Sequence, residues 1–219
     1  VYDPLTNDIY LSCYSGITVF DPENNSVIGQ ISGVITGPNG LNYGSLIETY
    51  GMAVDQSDNY PYVADFSLGA LSVVDLMTGT VVANITVSAR PIDISYDPLT
   101  DRLYVVDIYG TIYVVNPNSN AVVKEVDMSV PICGITYDPK DGAIFATSNF
   151  AEMNHSYIFI IDPESASITG WIQVSPPILG TGIAYDPRNG YLYITSFPSN
   201  KVYAVNPVNG SIVATIGVG

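Results

Sequence analysis

Positive charge is scarce in this chain: six Lys plus Arg stand against 21 Asp plus Glu, a formal net charge of -15. Phosphate backbones and anionic lipid surfaces repel such a protein, so no nucleic acid partner is expected, while cations, neutral sugars and other proteins remain open. Charge of either sign is thin, 12% of residues where about a quarter is usual, and Tyr, Ser, Thr, Asn and Val fill the difference. That surface suits life outside a cytoplasm. No apolar run reaches the roughly 20 residues that a spanning helix needs, so no direct membrane insertion is expected. The sequence opens at Val1 without a charged and apolar leader, which leads to the expectation that a signal peptide has been removed.

Reactive side chains are equally few. The single histidine, His155, sits in Asn-His-Ser with no second histidine or nearby cysteine to complete a zinc site or an acid-base dyad. No Gly-x-Ser-x-Gly, phosphate-loop or His-Glu-x-x-His pattern occurs. Catalytic residues are therefore expected to be none. Sustained 3.6-residue periodicity with caps is also missing, so helix is expected to be nearly absent.

What the chain does have is a repeat. Aligning on an aspartate that closes a strand gives Asp3, Asp55, Asp97, Asp138 and Asp186, spaced by 52, 42, 41 and 48 residues. A period near 42 residues with four short strands per unit is that of a propeller blade. The second strands read IYLSC from Ile9, PYVAD from Pro61, LYVVD from Leu103, IFATS from Ile144 and LYITS from Leu192. Third strands end at Asp21, Asp75, Asn116, Asp162 and Asn206, all but Asp75 followed by Pro. Segments such as Tyr113 to Val115 are apolar on both faces, so each blade needs a neighbour on either side. The expectation is an all-β, single-domain β-propeller of four-stranded antiparallel blades. Five are visible, at about 1–49, 50–90, 91–130, 131–177 and 178–219.

These strands, with LYITS and PYVAD nearest to the family's namesake and GIAYDP from Gly182 as an inner strand, resemble the YVTN family of β-propeller repeats. The resemblance covers essentially the whole chain. It implies an archaeal or bacterial extracellular or cell-surface protein, of the surface-layer (S-layer) or filament kind, and carries no shared catalytic residue set. Family propellers usually have seven blades. Val1 aligns with Ser95 and Gly219 with Ser88 of the third repeat, so the expectation is an excerpt of a longer chain, with a five-bladed ring as the alternative.

Each chemical motif has a structural reading. In Tyr-Asp-Pro, Pro presets φ, Asp bonds backbone N–H groups two residues on, and Tyr packs between blades. Asp21, Asp162, Asn116 and Asn206 do the same for the third-to-fourth strand turns, where Gly210 is expected to be left-handed. Second carboxylates follow four of the turn aspartates, as Asp3 with Asp8, Asp55 with Asp58, Asp97 with Asp101 and Asp138 with Asp141. The last three pairs are weak Ca²⁺ candidates, short of the six to eight oxygens calcium wants; otherwise no cofactor is expected. Cys13 and Cys133 fall in blades that are not neighbours, so two buried thiols without a disulfide are expected. Inner strands are expected to turn Ala53, Asp93, Gly134 and Ile183 to the channel, where one acid is too few for metal-dependent hydrolase or lyase chemistry, the alternative function.

Asn24, Asn84, Asn154 and Asn209 stand in Asn-x-Ser/Thr sequons as glycosylation candidates, two in turns, one in a loop and Asn84 on an outermost strand. In an up-and-down blade the loops after strands two and four share one face. Both large insertions, Gly33 to Tyr50 and Asn149 to Tyr157, therefore converge there, carrying Asn42, Tyr43, Tyr50, Phe150, Met153 and His155. Tyr and Asn suit recognition because they combine area with hydrogen bonding. The expected function is a non-enzymatic scaffold or adhesion protein that binds a like subunit, another surface protein or a glycan.

Overall fold

The computed structural model describes residues 1–3, 6–13, 16–31, 34–36, 42–45, 49–55, 60–87, 90–148 and 156–218, with backbone alone at 34–36, 42–45 and 49. Five four-stranded antiparallel sheets follow one another along the chain, each in sequential order. Blade 1 holds β1 (Tyr2–Asp3), β2 (Asp8–Cys13), β3 (Gly16–Asp21) and β4 (Ser26–Ile31). A two-stranded ribbon, β5 (Val34–Thr36) and β6 (Asn42–Ser45), precedes blade 2, which holds β7 (Thr49–Asp55), β8 (Tyr60–Asp65), β9 (Ala70–Asp75) and β10 (Thr80–Thr86). Blade 3 holds β11 (Pro91–Asp97), β12 (Arg102–Asp107), β13 (Thr111–Asn116) and β14 (Ala121–Asp127). Blade 4 holds β15 (Ile132–Asp138), β16 (Ala143–Ser148), β17 (Ser156–Asp162) and β18 (Ser167–Val174). Blade 5 holds β19 (Gly180–Asp186), β20 (Tyr191–Ser196), β21 (Lys201–Val205) and β22 (Ile212–Gly217). Helix among the described residues is a single 3₁₀ turn, Pro117–Ser119, so none is long and apolar enough to cross a membrane.

Why the middle strands are β-branched and apolar on both faces is plain from their burial. Leu103, Tyr104, Val105 and Val106 are all fully buried, with alternate residues serving different neighbours. Leu103 and Val105 pack toward blade 2, Tyr104 and Val106 toward blade 4. The same alternation builds clusters between blades 1 and 2 and between blades 4 and 5. Blades are thus held by side-chain packing, and hydrogen bonds hold each blade within itself.

The Asp-Pro turns behave as their chemistry demands. Asp97 Oδ1 accepts the Leu99 N–H at 2.8 Å and Oδ2 the Thr100 hydroxyl at 2.6 Å. Asp138 and Asp186 accept from Lys140 N and Arg188 N in the same way. Asp21, Asp75, Asn116, Asp162 and Asn206 repeat the pattern at the third-to-fourth turns, and Gly210 has φ +70°. Asp97 is buried, so Asp97→Ala strands two donors in a closed site. Urea denaturation should show a loss of about 2 kcal/mol, the worth of hydrogen bonds to a charged acceptor.

The motif's tyrosine joins blades. Tyr96, Tyr137 and Tyr185 each approach the turn aspartate of the preceding blade, Asp55, Asp97 and Asp138 respectively. Burial first, and that carboxylate second, push the phenols of Tyr137 and Tyr185 up to about 12 and that of Tyr96 higher still. The Tyr137 hydroxyl is buried without a well-formed hydrogen bond, so at that junction the contact is electrostatic more than directional.

One expectation needs correction. Cys13 and Cys133 are not bridged to each other, but both are only half-buried, and Cys133 lines a cavity at the inner strands. Of the residues expected to face the channel, Asp93 and Ile183 line one mouth, and Ala53 lines the other while packing in the cluster between blades 2 and 3. Four residues before the turn aspartates stand Gly51, Asp93, Gly134 and Gly182, and pairing agrees, with Asp93 opposite Val106, Gly134 opposite Thr147 and Gly182 opposite Thr195. A bulge near the start of each long inner strand shifts the pairing there.

Candidate functional site

The inner strands line two open cavities, taken as the mouths of the central channel, at opposite ends of the blades. One mouth, a cavity of about 440 Å³, is ringed by the Tyr-Asp-Pro turns, among them Tyr96, Pro98, Tyr137, Pro139, Tyr185 and Pro187. The other, about 400 Å³, opens between Ser12, Tyr50, Asp93, Cys133 and Thr181. Strand direction puts this second mouth on the face where strands two and four of each blade end, which is the face of both insertions. The bulges supply its walls, because the looped-out residues Ile92, Cys133 and Thr181 line it.

Asp93 is the one acid among the described residues of this mouth. Its Oδ1 accepts from its own Ile94 N–H at 3.0 Å and its Oδ2 from Ile135 N–H of the next blade at 2.9 Å, so the carboxyl bridges blades 3 and 4. Space for it exists because its counterparts are glycines. A Cβ on Gly51 would lie 2.4 Å from the Asp93 Cα and Oδ1. The surrounding strands desolvate the carboxyl strongly, and although the two N–H groups oppose the effect, its pKa is raised to about 7. The access it retains is to the mouth that it lines.

On the rim of the same mouth is an aromatic and cationic cluster. Tyr50, half exposed, stacks at a tilt on Phe66 with ring centroids 5.2 Å apart. The Arg90 guanidinium lies over the Phe66 ring, 5.2 Å from its centroid. Ser12 Oγ donates to the Tyr50 carbonyl and ties this segment to blade 1. The sequence offered Tyr50 alone of these. Phe66, in the turn after β8, and Arg90, in the link after β10, could have been found by applying the same loop-face rule to short turns.

Other expected sites are not assembled. Asn42 and Tyr43 have only their backbone described, while Phe150, Met153, Asn154, His155 and Asp58 lie outside the described residues. Asn24, Asn84 and Asn209 are exposed. Asn24 donates to Asp21, Asn84 Oδ1 accepts from Ser72, and Asn209 Oδ1 accepts from Ser211 N–H. The calcium candidates are spent locally. Asp101 accepts from Tyr96 and Asn118, Asp138 from Lys140 and Asp141 backbone, Asp97 as above, and Asp55 is buried against Tyr96. Among the described residues no group of three His, Cys, Asp or Glu comes together as a metal site would need.

Neither family models nor curated proteins match this chain. Solved structures do. A chain of Kuenenia stuttgartiensis hydrazine synthase is similar with a TM-score of 0.73 and 14% identity over 100% of this chain and 85% of its own. The likeness is one of fold. A chain of a mitotic checkpoint complex follows with a TM-score of 0.65 and 16% identity, over 97% of this chain and 61% of its own. Myxococcus xanthus glutaminyl cyclase has a TM-score of 0.60 and 18% identity, over 78% of this chain and 70% of its own. Identities so low establish the propeller and carry no activity across.

Proposed function

We propose that this chain is a non-enzymatic, secreted or cell-surface scaffold of the YVTN type that displays a binding surface on its insertion face. The observation behind it is the rim cluster: Tyr50 is exposed beside Phe66, Arg90 and an open channel mouth, on the face toward which both insertions run. An exposed tyrosine backed by a second ring with a cation alongside gives area, stacking and hydrogen bonding at one place, which suits a sugar ring or a protein side chain. Sparse charge and the exposed sequons support an extracellular setting.

A panel of immobilised glycans tests the reading with the intact chain. Binding should fall at least tenfold with Tyr50→Ala and with residues 149–157 exchanged for a short turn. Unchanged binding in both variants, or none by the parent, overturns it. A channel enzyme is the second reading, and Asp93 is what favours it, since a carboxyl near neutrality can both give and take a proton. Stoichiometric divalent metal that is lost with Asp93→Ala would decide for that alternative.

A further inference from the structure

Two of the chain's six Lys and Arg residues, Arg102 and Lys124, line one cavity. It measures about 380 Å³ and lies between Arg102, Val114 and Lys124 of blade 3 and Pro163, Glu164 and Ala166 of blade 4. Both blades have a neighbour on either side, and the turns at this cavity follow strands one and three, opposite the insertion face. Although the chain has 21 acids, neither cation has a carboxylate partner among the described residues. Arg102 donates to the Asp101 carbonyl at 2.6 Å, and Lys124 to the Ser165 carbonyl of the next blade. Of the acids nearby, Asp101 accepts from Tyr96 and Asn118, and Asp162 from Ser165; Glu164 is the one acid on the lining. The lining is therefore net positive in a protein whose net charge is -15.

The chain's single tryptophan, Trp171, borders the same groove. On β18, Ile168 pairs with Ile161 and Trp171 with Phe159, and paired side chains share a face of their sheet. Ile161 and Phe159 pack in the cluster between blades 3 and 4, so Ile168 and Trp171 stand on the blade 4 face turned toward blade 3. Beyond the cluster both emerge into solvent: Ile168 is 41% and Trp171 65% exposed. At about 3.3 Å per residue, β18 sets the indole about 15 Å along the groove from Ala166. A flat apolar ring at one end and two cations at the other call for an extended ligand with apolar faces and a carboxylate.

We propose that this groove binds an acidic oligosaccharide, with a uronate carboxylate held by Arg102 and Lys124 and another sugar ring of the same chain stacked on Trp171. The guanidinium fork matches both carboxylate oxygens and the ammonium adds a point charge. Indole offers its flat face to the C–H face of a sugar, and Val114 and Ala166 give the cavity an apolar floor. Phosphate polymers fit poorly, because their dense charge meets the field of the whole acidic surface. The site shares no residue with the Tyr50 rim and does not rest on the insertion-face reading.

Because Trp171 is the single tryptophan, its fluorescence reports occupancy directly. Titrating the intact chain with a short oligogalacturonate should give a saturable change in emission. The fully methyl-esterified oligomer keeps the sugar faces and loses the charge, so it should bind about tenfold more weakly, the scale of a lost charge-assisted hydrogen bond. Arg102→Gln and Lys124→Gln should each weaken binding about tenfold and keep the parent's far-ultraviolet circular dichroism, since one side chain is half-buried and the other exposed. Calorimetry on Trp171→Ala should show a loss of about fivefold, and Tyr50→Ala should bind as the parent does. A parent with no saturable response overturns the proposal, as does equal binding of the ester. Oligoglutamate bound as tightly as the uronate would overturn it in favour of an acidic peptide, and a response lost with Tyr50→Ala would overturn it in favour of the insertion face.

Discussion

Gly51→Ala should lower the unfolding free energy by about 3 kcal/mol or more, at the upper end of what overpacking costs. The added Cβ would sit 2.4 Å from the Asp93 Cα and 2.9 Å from Ile94 N, and backbone cannot swing aside as a flexible side chain can. The junction of β7 with β11 would have to part, and with it the cluster that includes Ala53, Tyr62, Ile94 and Leu103. Gly29→Ala is the control, because its Cβ would meet Val19 at an ordinary 3.6 Å on the outermost strand of blade 1. Urea midpoints compare the two variants directly. If Gly51→Ala unfolds within about 0.5 kcal/mol of Gly29→Ala, where uneventful surface changes fall, the close approach of the strands is wrong.

Asp93 should make the protein less stable as pH rises from acid to neutral. An unfolded aspartate titrates at about 3.9 and the folded one at about 7. Below about pH 4 the group is neutral in both states and carries no penalty. Between the two values the unfolded chain ionises first, which favours unfolding, and above about 7 the loss is complete. Three units correspond to roughly 4 kcal/mol, and channel water brings that nearer 2 kcal/mol. Asp93→Asn abolishes this titration while keeping one acceptor for one of the two N–H groups. The advantage of the parent over Asp93→Asn in urea should therefore shrink by that amount between pH 4 and pH 8. A difference that does not change with pH would show that Asp93 does not titrate there.

The comparison has to be made between variants because other carboxylates act with the opposite sign. Hydrogen bonds from Asn24, from Met77 N–H, from Ser165 and from Arg188 N–H hold Asp21, Asp75, Asp162 and Asp186 below the usual range. What those groups contribute is present above the unfolded pKa and is lost as pH falls through the folded one. They are surface turns, and only the difference with Asp93→Asn removes them.

Local chemistry was written in the sequence and could be read there. The spacing of Asp3, Asp55, Asp97, Asp138 and Asp186, with apolar strands between, requires blades, because both faces of each middle strand need cover and only a like unit supplies it. Asx-type turns at Asp97 or Asn116 need nothing beyond two following residues, so they too were legible. The loop-face rule put Tyr50 on the face where strands two and four end because strand direction alone decides it; that it lines a cavity there is a fact of the assembled blades.

Tertiary structure decided what depends on bulges and on junctions. A bulge moves the pairing within a strand without changing any local pattern, and it brings Gly51 to the wall of one mouth. That Asp93 reaches across to Ile135, that Tyr96 meets Asp55, and that Phe66 and Arg90 gather about Tyr50 are facts of how blades stack. Leu11 and Val105 occupy the same place in the repeat, yet one is 45% exposed and the other 0%. Their sequence positions are equivalent and their neighbours are not: periodicity determined the blade, and only the assembled molecule determined what packs against each face.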